Sequence, residues 1–343
     1  MSPRLVLVTG SGRSGTSSVA GTLKRLGLHV PQPEVPADDK NPRGYYEPLW
    51  VTEFHKRVLN PVPVRTIDTR PDAAAIADAA ITPEVEDELR GWLADQLDEP
   101  QVLVKDPRAF WILPAWTRVA DELGAGVCTL TMLRHPTEVV RSRDSAYLTE
   151  QTPTFRRQRE TANVAAWVNA AFATEAATRT LARAFVRYDD LLADWRTAMA
   201  RAGEQLGLSF EPGLDVSPHP VDDFIDARLN RSAITWDDIA VPPGLRDLAE
   251  RTWQAMNVLV SSPSDAGAIS ELAGLQEEYG ELFDYSEAIA MDATTARVAA
   301  GRRDVRRKKD AQLDELRAEL DAVRAELAEL RSRPTGLAGL FRR

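Results

Sequence analysis

The chain has little cysteine, little lysine and no long apolar run. Its one cysteine, Cys128, excludes an intrachain disulfide, and the apolar residues around it predict a buried, inert thiol. No apolar run approaches the roughly 20 residues that a helical membrane span needs. The apolar start of the chain is too short and too soon interrupted to read as a signal peptide. We therefore expect a cytoplasmic protein that does not span a membrane.

The charge balance restricts the partners. The formal net charge is −10, which argues against non-specific nucleic-acid binding by the whole chain. Only six of the 42 basic residues are lysine, and this arginine-rich, alanine-rich composition suggests a GC-rich bacterial genome. With 43% hydrophobic residues the chain can bury a sizeable core. We predict one large domain over residues 1–290 and a helical tail over residues 291–343.

Apolar strands alternate with helices along the first half of the chain. Residues Arg4 to Thr9 predict a buried strand, Gly10 to Gly15 break it, and an amphipathic helix follows from Thr16 to Leu26. Further elements are predicted as strands over 101–105, 127–133 and 184–188 and a helix over 83–97. This alternation is typical of an α/β fold with a parallel sheet covered on both faces, a three-layer arrangement.

Ligands of such sheets bind beyond the carboxyl ends of the strands. Gly10, Lys105 and Arg134 each stand at a predicted strand end, so we expect them to meet in one cleft. Loops that line or cover that cleft are predicted over 31–46, 60–72, 147–159 and 213–223.

The first strand is followed by a glycine-rich loop that suits a phosphate. Its glycines let backbone N–H groups point inward, and the following helix presents its N-terminus to an anion. A Walker A loop has lysine where this loop has Thr16, which weakens an ATPase interpretation. The nearest cation is Arg13, whose planar fork suits a phosphosulfate. The residues predicted to bind the nucleotide here are Ser11, Gly12, Arg13, Ser14, Gly15, Thr16 and Ser17.

Two separated segments carry a resemblance to a known family. Gly10 to Ser18 resembles the 5′-phosphosulfate loop of sulfotransferases that use 3′-phosphoadenosine 5′-phosphosulfate (PAPS), and Leu133 to Pro136 with Ser142 resembles their 3′-phosphate site. The resemblance implies a P-loop sulfotransferase-like fold of the bacterial type. It also implies that Arg134 and Ser142 hold the ribose 3′-phosphate. Segments at 41–47, 105–108 and 188–192 are similar to bacterial members as well, so the resemblance covers most of residues 4–260.

Sulfuryl transfer needs a general base and positive charge near the leaving phosphate oxygen. Arg13 and Lys105 are the candidates for that charge, and no metal is expected. The resemblance implies Glu47 as the base, because similar enzymes place a catalytic glutamate in this segment. The animal cytosolic enzymes differ, with lysine at the position of Arg13 and histidine as base.

Other assignments stay open at this level. His55 and Asp106 compete with Glu47 as base, although His55 on a predicted helix is expected to face solvent. Asp106 ends an apolar strand as a Walker B aspartate does when it organises Mg²⁺. Arg228 and Arg231 either close over the nucleotide or belong to a surface loop.

Two rival functions remain. A P-loop kinase for a nucleotide or small molecule would use ATP with Mg²⁺. A non-catalytic coiled-coil scaffold would bind the product adenosine 3′,5′-bisphosphate (PAP) without turnover, or would not bind it at all. The resemblance implies carbohydrate, glycolipid or hydroxylated small-molecule acceptors. Scattered aromatic residues either line such a pocket or belong to the core, namely Trp111, Trp116, Trp167, Tyr45 and Tyr46.

The tail carries a heptad pattern. Its apolar residues alternate spacings of three and four: Leu313, Leu316, Leu320, Val323, Leu327 and Leu330. This predicts a C-terminal coiled-coil helix, with a homo-oligomer through residues 305–333 or a single amphipathic helix packed on its own domain as the two interpretations. The basic segment 302–309 ahead of it predicts a solvated helix face.

Overall fold

The described part of the chain contains four strands, β1 (Arg4–Thr9), β2 (Gln101–Lys105), β3 (Gly126–Leu133) and β4 (Ala182–Arg187). In this computed structural model the described residues are 2–39, 41–147, 152–226 and 234–332, with the side chains of residues 146 and 147 excepted. All four strands are parallel and lie in the order β2, β1, β3, β4. The predicted bounds of β1 and β2 are confirmed. Strand β3 begins one residue earlier than predicted, and β4 begins two residues earlier and ends one residue earlier.

Helices connect and cover these strands. The described helices are α1 (Thr16–Arg25), α2 (Leu49–Leu59), α3 (Ala73–Ala79), α4 (Pro83–Gln96), α5 (Leu113–Glu122), α6 (Pro136–Tyr147), α7 (Pro153–Thr178), α8 (Tyr188–Ala193), α9 (Trp195–Leu206), α10 (Pro243–Ser261) and α11 (Ala266–Ser332). Short 3₁₀ turns cover Ala109–Ile112 and Trp236–Asp238.

Alternate side chains of β1 enter two separate hydrophobic cores. Leu5 and Leu7 pack with residues of α2, α4, α5 and α7, whereas Val6 and Val8 pack with residues of α1 and α9. Because successive side chains of a strand point to opposite faces, both faces of the sheet must be covered. The prediction of a three-layer α/β fold with a central parallel sheet is therefore confirmed.

The strand order brings the loops after β1 and β3 together. The chain leaves β1 for β2 on one side, and it leaves β3 for β4 on the other side. Between β1 and β3 the connections therefore diverge, which opens a crevice at the carboxyl ends of these strands. Thr9 and Thr131 mark that edge, where their hydroxyl oxygens lie 2.7 Å apart.

One predicted loop was wrong in part. Residues 153–159 were expected in a loop, but they form the start of α7. The local signal is a helix N-terminus: the Thr152 hydroxyl accepts from the Phe155 N–H at 3.3 Å, and Pro153 occupies the first turn. Residues 148–151 of that predicted loop lie outside the described part.

By its contacts the chain divides into two units, Met1–Glu281 and Leu282–Arg343. In the first unit, Leu272, Leu275 and Tyr279 of α11 are buried, and the Tyr279 hydroxyl donates to the Thr69 carbonyl at 2.5 Å. In the second unit the heptad residues are exposed. A domain boundary at residue 290 stays a prediction. Among the described helices, none has the combination of length and apolar character that a membrane span requires.

Candidate active site

The glycine loop between β1 and α1 adopts conformations that require glycine at two positions. Gly10 has φ 123° and Gly15 has φ 96°, both in the left-handed region. A Cβ atom at Gly10 would lie 2.6 Å from the Met132 carbonyl oxygen, and one at Gly15 would lie 2.3 Å from Cδ2 of Tyr188. The loop therefore lies tightly between β3 and the aromatic ring that follows β4.

Two buried hydroxyls in this loop have no partner among the described residues. They are the Oγ atoms of Ser11 and Ser14. The first N–H groups of α1, including those of Thr16 and Ser17, have no acceptor within the helix, because a helix always leaves its first N–H groups free. Arg13 has φ 78°, which is uncommon for a side-chain-bearing residue and is typical of functional loops. Such a loop can hold an oxyanion.

The second predicted motif lies in direct contact with the loop. The Arg13 Nε atom donates to the Ser142 Oγ atom at 3.1 Å, and Nη1 of Arg134 donates to the Arg13 carbonyl oxygen at 3.3 Å. Arg134 follows β3, and Ser142 lies on α6 about two turns further along the chain. Arg13, Arg134 and Ser142 thus form one group, whereas the sequence analysis placed Arg13 with Lys105.

Arg134 is held on several sides. It is buried, its Nε atom donates to Glu138 at 2.9 Å, and its guanidinium carbon lies 4.5 Å from the centre of the Tyr188 ring. Burial raises the pKa of the Tyr188 phenol, so that the ring is neutral at physiological pH. An arginine packed on an aromatic face keeps a fixed orientation, which suits the recognition of a phosphate.

A second group of predicted residues lies at the end of β2. Lys105 Nζ forms a buried ion pair with Glu47 and donates to the Ser17 Oγ atom at 3.3 Å. Ser17 belongs to the first turn of α1, so Lys105 connects the loop to Glu47. Within the described residues, Arg13 makes no hydrogen bond to Lys105 or Glu47. The structure therefore groups Arg13 with Ser142 and Arg134, and Lys105 with Glu47 and Ser17.

Asp106 follows Lys105 at the end of β2 and is fully buried. Both of its oxygens accept from the Arg108 side chain, at 2.8 Å from Nε and 2.6 Å from Nη2, and the Arg108 N–H donates to it at 2.8 Å. Burial by itself raises the pKa of Asp106, but His55 and the Arg108 guanidinium lower that pKa by more. The net effect keeps the pKa of Asp106 below its usual range. Such a carboxylate stays ionised, and its tight pairing makes it a poor base.

His55 was expected to face solvent, and this prediction is wrong. It is fully buried, and its Nδ1 atom lies 3.0 Å from an Asp106 oxygen. The Trp116 indole N–H donates to the other ring nitrogen, Nε2, at 3.0 Å. Because an indole N–H only donates, Nε2 must be an acceptor and the ring proton must lie on Nδ1. His55 is thus enclosed between Asp106 and the Trp116 indole, away from solvent, which makes it a weaker candidate for the base than Glu47.

One residue of this network was missed by the sequence analysis. The Thr52 hydroxyl lies 3.3 Å from both Glu47 Oε2 and Asp106 Oδ2 and can donate to either carboxylate. The available signal was its position: Thr52 and His55 are three residues apart on α2, which places them on one face, among apolar residues. A buried threonine on that face indicates a polar partner.

The remaining candidates lie elsewhere. Arg228 and Arg231 lie outside the described residues. His135 packs edge-on against the rings of Trp236 and Trp253, with centroids 5.5 Å away in each case. Four of the five predicted aromatic residues are buried in the body of the protein, namely Trp111, Trp116, Trp167 and Tyr46.

A cavity of about 460 Å³ lies beside the loop. Its wall includes Thr66, Arg65, Arg108 and Arg143. A Cβ atom at Gly12 would lie 3.7 Å from Arg143 Nη1 and 3.8 Å from Thr66 Cγ2, so the cavity wall reaches the glycine loop.

Comparisons with known proteins give distant likenesses. No protein-family model matches the chain, and no curated protein matches it. Among solved structures, a sulfotransferase domain of the Synechococcus olefin synthase is 19% identical, with a TM-score of 0.39, over 81% of this chain and 95% of that one. A sulfotransferase domain from the curacin biosynthetic pathway is 17% identical, with a TM-score of 0.41, over 74% of this chain and 98% of that one. A sulfotransferase from Mycobacterium tuberculosis is 16% identical, with a TM-score of 0.37, over 65% and 74% of the two chains.

Proposed function

We propose that this chain is a sulfotransferase that transfers the sulfuryl group of PAPS to an acceptor hydroxyl. One observation carries the proposal: the glycine loop contacts both an arginine–serine group and a lysine–glutamate pair at the carboxyl edge of the sheet. The first group suits a terminal phosphate, and the second suits proton transfer beside a leaving group.

The residues of the loop fit a phosphosulfate. The buried hydroxyls of Ser11 and Ser14 lack partners among the described residues, and oxyanion oxygens would supply them. The first N–H groups of α1 would donate to the oxygens of the 5′-phosphate. Arg134, Ser142 and Arg13 would hold the 3′-phosphate, which distinguishes PAPS from ATP.

When bound, PAPS supplies an activated sulfuryl group whose leaving group is a phosphate oxygen. Glu47 takes the proton of the acceptor hydroxyl as its oxygen bonds to sulfur, and the bond between sulfur and the phosphate oxygen breaks. The products are the sulfated acceptor, PAP and a protonated Glu47, which returns its proton to solvent. Thr52 orients Glu47 through its hydroxyl.

Lys105 can serve both the base and the leaving group. An ammonium has three N–H donors. Two of them bond to Glu47 and Ser17, and the third has no partner among the described residues. That donor would stabilise the negative charge that develops on the leaving phosphate oxygen. The same side chain thereby keeps Glu47 in place and favours departure of PAP.

Calorimetric titration tests the proposal. The protein is titrated with PAP in the presence of a chelator and, separately, with ATP and Mg²⁺. We expect saturable binding of PAP without metal, because the proposed phosphate contacts all come from side chains and backbone N–H groups. Binding of Mg²⁺-ATP alone would overturn the proposal in favour of a kinase, and PAP binding without turnover of PAPS would favour a non-catalytic scaffold.

A further inference from the structure

The cavity beside the glycine loop has a strongly basic wall. Three of its lining residues are arginines, Arg65, Arg108 and Arg143, and none of its lining residues is acidic. The charge of Arg108 is balanced by its ion pair with the buried Asp106, at 2.6 Å between Nη2 and Oδ2. The Arg143 Nε atom donates to the Asn163 Oδ1 atom at 3.2 Å, which fixes the direction of its guanidinium. The exposed side chain of Arg65 makes no ion pair within the described residues.

Such a wall selects for a particular chemical group. Arginine forks recognise planar or tetrahedral oxyanions, chiefly carboxylate and phosphate, through paired N–H donors. A volume of about 460 Å³ is within the range that holds a small molecule. Two of its lining residues, Thr66 and Arg143, lie close to Gly12, so a molecule inside the cavity would lie near the loop that is proposed to hold the phosphosulfate.

We propose that the acceptor carries an anionic group, a carboxylate or a phosphate, that binds in this cavity through Arg65 and Arg143. The identification of the bound molecule as the acceptor rests on the proposed function, whereas the anion site itself rests on the geometry of the cavity. It narrows the acceptors from any hydroxyl compound to small hydroxylated anions, and it makes neutral glycans and simple alcohols poor acceptors.

The test uses PAP-saturated protein, so that the proposed nucleotide site is filled before the probe is added. Phenyl phosphate, benzoate and the neutral analogue phenol are titrated into the full-length chain. We expect the two anions to bind saturably and phenol not to bind. In Arg65→Gln and Arg143→Gln the affinity for the anions should fall about tenfold or more, as expected for loss of a charge-assisted contact. Arg141→Gln, an exposed arginine on α6, should be unchanged and is the matched control.

Absence of anion binding, or equal binding by the cavity variants and the control, would overturn the anion site. PAP affinity is measured for every variant, which separates the two proposals. If PAP does not bind at all, the proposed function falls, while a dependence of anion affinity on Arg65 would still support the cavity as an anion site.

A second inference comes from the last part of α11. The six heptad residues between Leu313 and Leu330 are apolar, yet their exposed fractions lie between 46% and 60%. If Leu313 is taken as heptad position a, the e positions are Arg317, Arg324 and Arg331, and the g positions are Glu319 and Glu326. Every e position is therefore basic and both g positions are acidic.

This charge pattern determines which partner helix fits against the heptad residues and whether that helix runs parallel or antiparallel. In a parallel coiled coil, g of one helix faces e of the next heptad on its partner. Two parallel copies of this chain would pair Glu319 with Arg324 and Glu326 with Arg331, twice each. An antiparallel pair would bring e against e and g against g, which places like charges together. We propose that this segment forms a parallel coiled coil with a second copy of the chain.

Single cysteine variants of the full-length chain test both the contact and its direction. In a parallel pair Leu316→Cys faces its own copy, and a disulfide requires Cα atoms within about 7 Å. We expect a covalent dimer under mild oxidation. Ala318→Cys, on the outer face of the helix, is the control and should stay monomeric on a denaturing gel. The natural Cys128 does not interfere, because burial raises the pKa of its thiol to about 12.

The outcomes are distinct. A mixture of Leu316→Cys and Leu327→Cys that cross-links more readily than either variant alone would overturn the parallel direction. A monomer in sedimentation equilibrium of the unsubstituted chain would overturn self-association. The double variant Glu319→Lys/Glu326→Lys should weaken the dimer, and mixing it with Arg324→Glu/Arg331→Glu should restore association, because opposite charges then face each other.

Discussion

Glu47 is the residue on which the proposed chemistry depends most. It is buried, paired with Lys105 and in reach of the Thr52 hydroxyl. A buried carboxylate held by one cation and one hydroxyl keeps a fixed direction, and proximity of this kind contributes to general base catalysis. Asp106, by contrast, uses both oxygens on Arg108, which leaves it a structural role.

Replacement of Glu47 tests its role as base. Glu47→Gln keeps the shape of the side chain and an oxygen for Lys105, but it cannot take a proton. We expect turnover of PAPS with an acceptor found by screening hydroxylated anions to fall by about 10²-fold to 10⁴-fold. PAP affinity should change little. Glu53→Gln, exposed on α2, is the control. Turnover of Glu47→Gln at the level of that control would exclude Glu47 as base.

Replacement of Arg134 tests the nucleotide assignment. Arg134→Ala removes a charged donor next to Ser142 and Arg13, and loss of a charge-assisted hydrogen bond costs about 1.5–3 kcal/mol. We expect calorimetry to show a corresponding loss of PAP affinity, while affinity for PAP in Arg141→Ala stays unchanged. An unaltered affinity in Arg134→Ala would mean that the 3′-phosphate is held elsewhere.

At the scale of elements, the unit formed by β1, the glycine loop and α1 has the strictest requirements. The glycine loop follows β1, whose side chains enter two hydrophobic cores. At its other end the loop leads into α1, and no side chain caps the N-terminus of that helix. The left-handed conformation of Gly15 and the ring of Tyr188 leave no room for a side chain. We regard the loop as preformed, because packing on both sides restricts it.

Alanine substitutions at Gly12 and Gly15 form a matched test of how tightly the loop is packed. At Gly15 a Cβ atom would lie 2.3 Å from the Tyr188 ring, whereas at Gly12 the nearest atom is 3.7 Å away and φ is not in the left-handed region. We expect Gly15→Ala to lower the free energy of unfolding by about 1–3 kcal/mol or more. Gly12→Ala should stay within about 0.5 kcal/mol of the wild type. Urea denaturation measures both, and equal stabilities would show that the loop and Tyr188 move apart easily.

At the scale of the whole molecule, one buried charge network connects several elements. Asp106 follows β2, Arg108 precedes the first 3₁₀ turn, Thr52 and His55 lie on α2, and Trp116 lies on α5. Breaking a buried ion pair by removing one partner leaves an uncompensated charge and costs about 3–5 kcal/mol. The network should therefore contribute to the stability of the domain.

The pH dependence of stability tests this network. The pKa of Asp106 in the folded state lies below its ordinary value of 3.8, so its contribution is present above that pH and is lost as the pH falls through the lower folded-state value. We expect Asp106→Asn to be less stable than the wild type at pH 7, and the difference to shrink below about pH 4. Thermal melts against pH measure it, with the exposed Asp95→Asn as control. A difference that is constant with pH would show that Asp106 does not contribute as an ion.

The sequence alone determined the order and nearly the full extent of the strands, because continuous apolar runs and the glycines that end them are local signals. Placement of Gly10, Lys105 and Arg134 at one edge also followed, since the carboxyl ends of parallel strands share an edge. The start of α7 was missed although Thr152 and Pro153 are a readable N-terminal signal.

Only the tertiary structure decided how the site residues are grouped and which side chains pair with each carboxylate. Arg13 turns to Ser142 and Arg134, and Lys105 turns to Glu47, although both cations were expected on the same leaving group. His55 is buried between Asp106 and Trp116, a position that no local pattern predicts. The physical reason is that hydrogen-bond partners lie on different elements, so that their distances are set by packing and not by spacing along the chain.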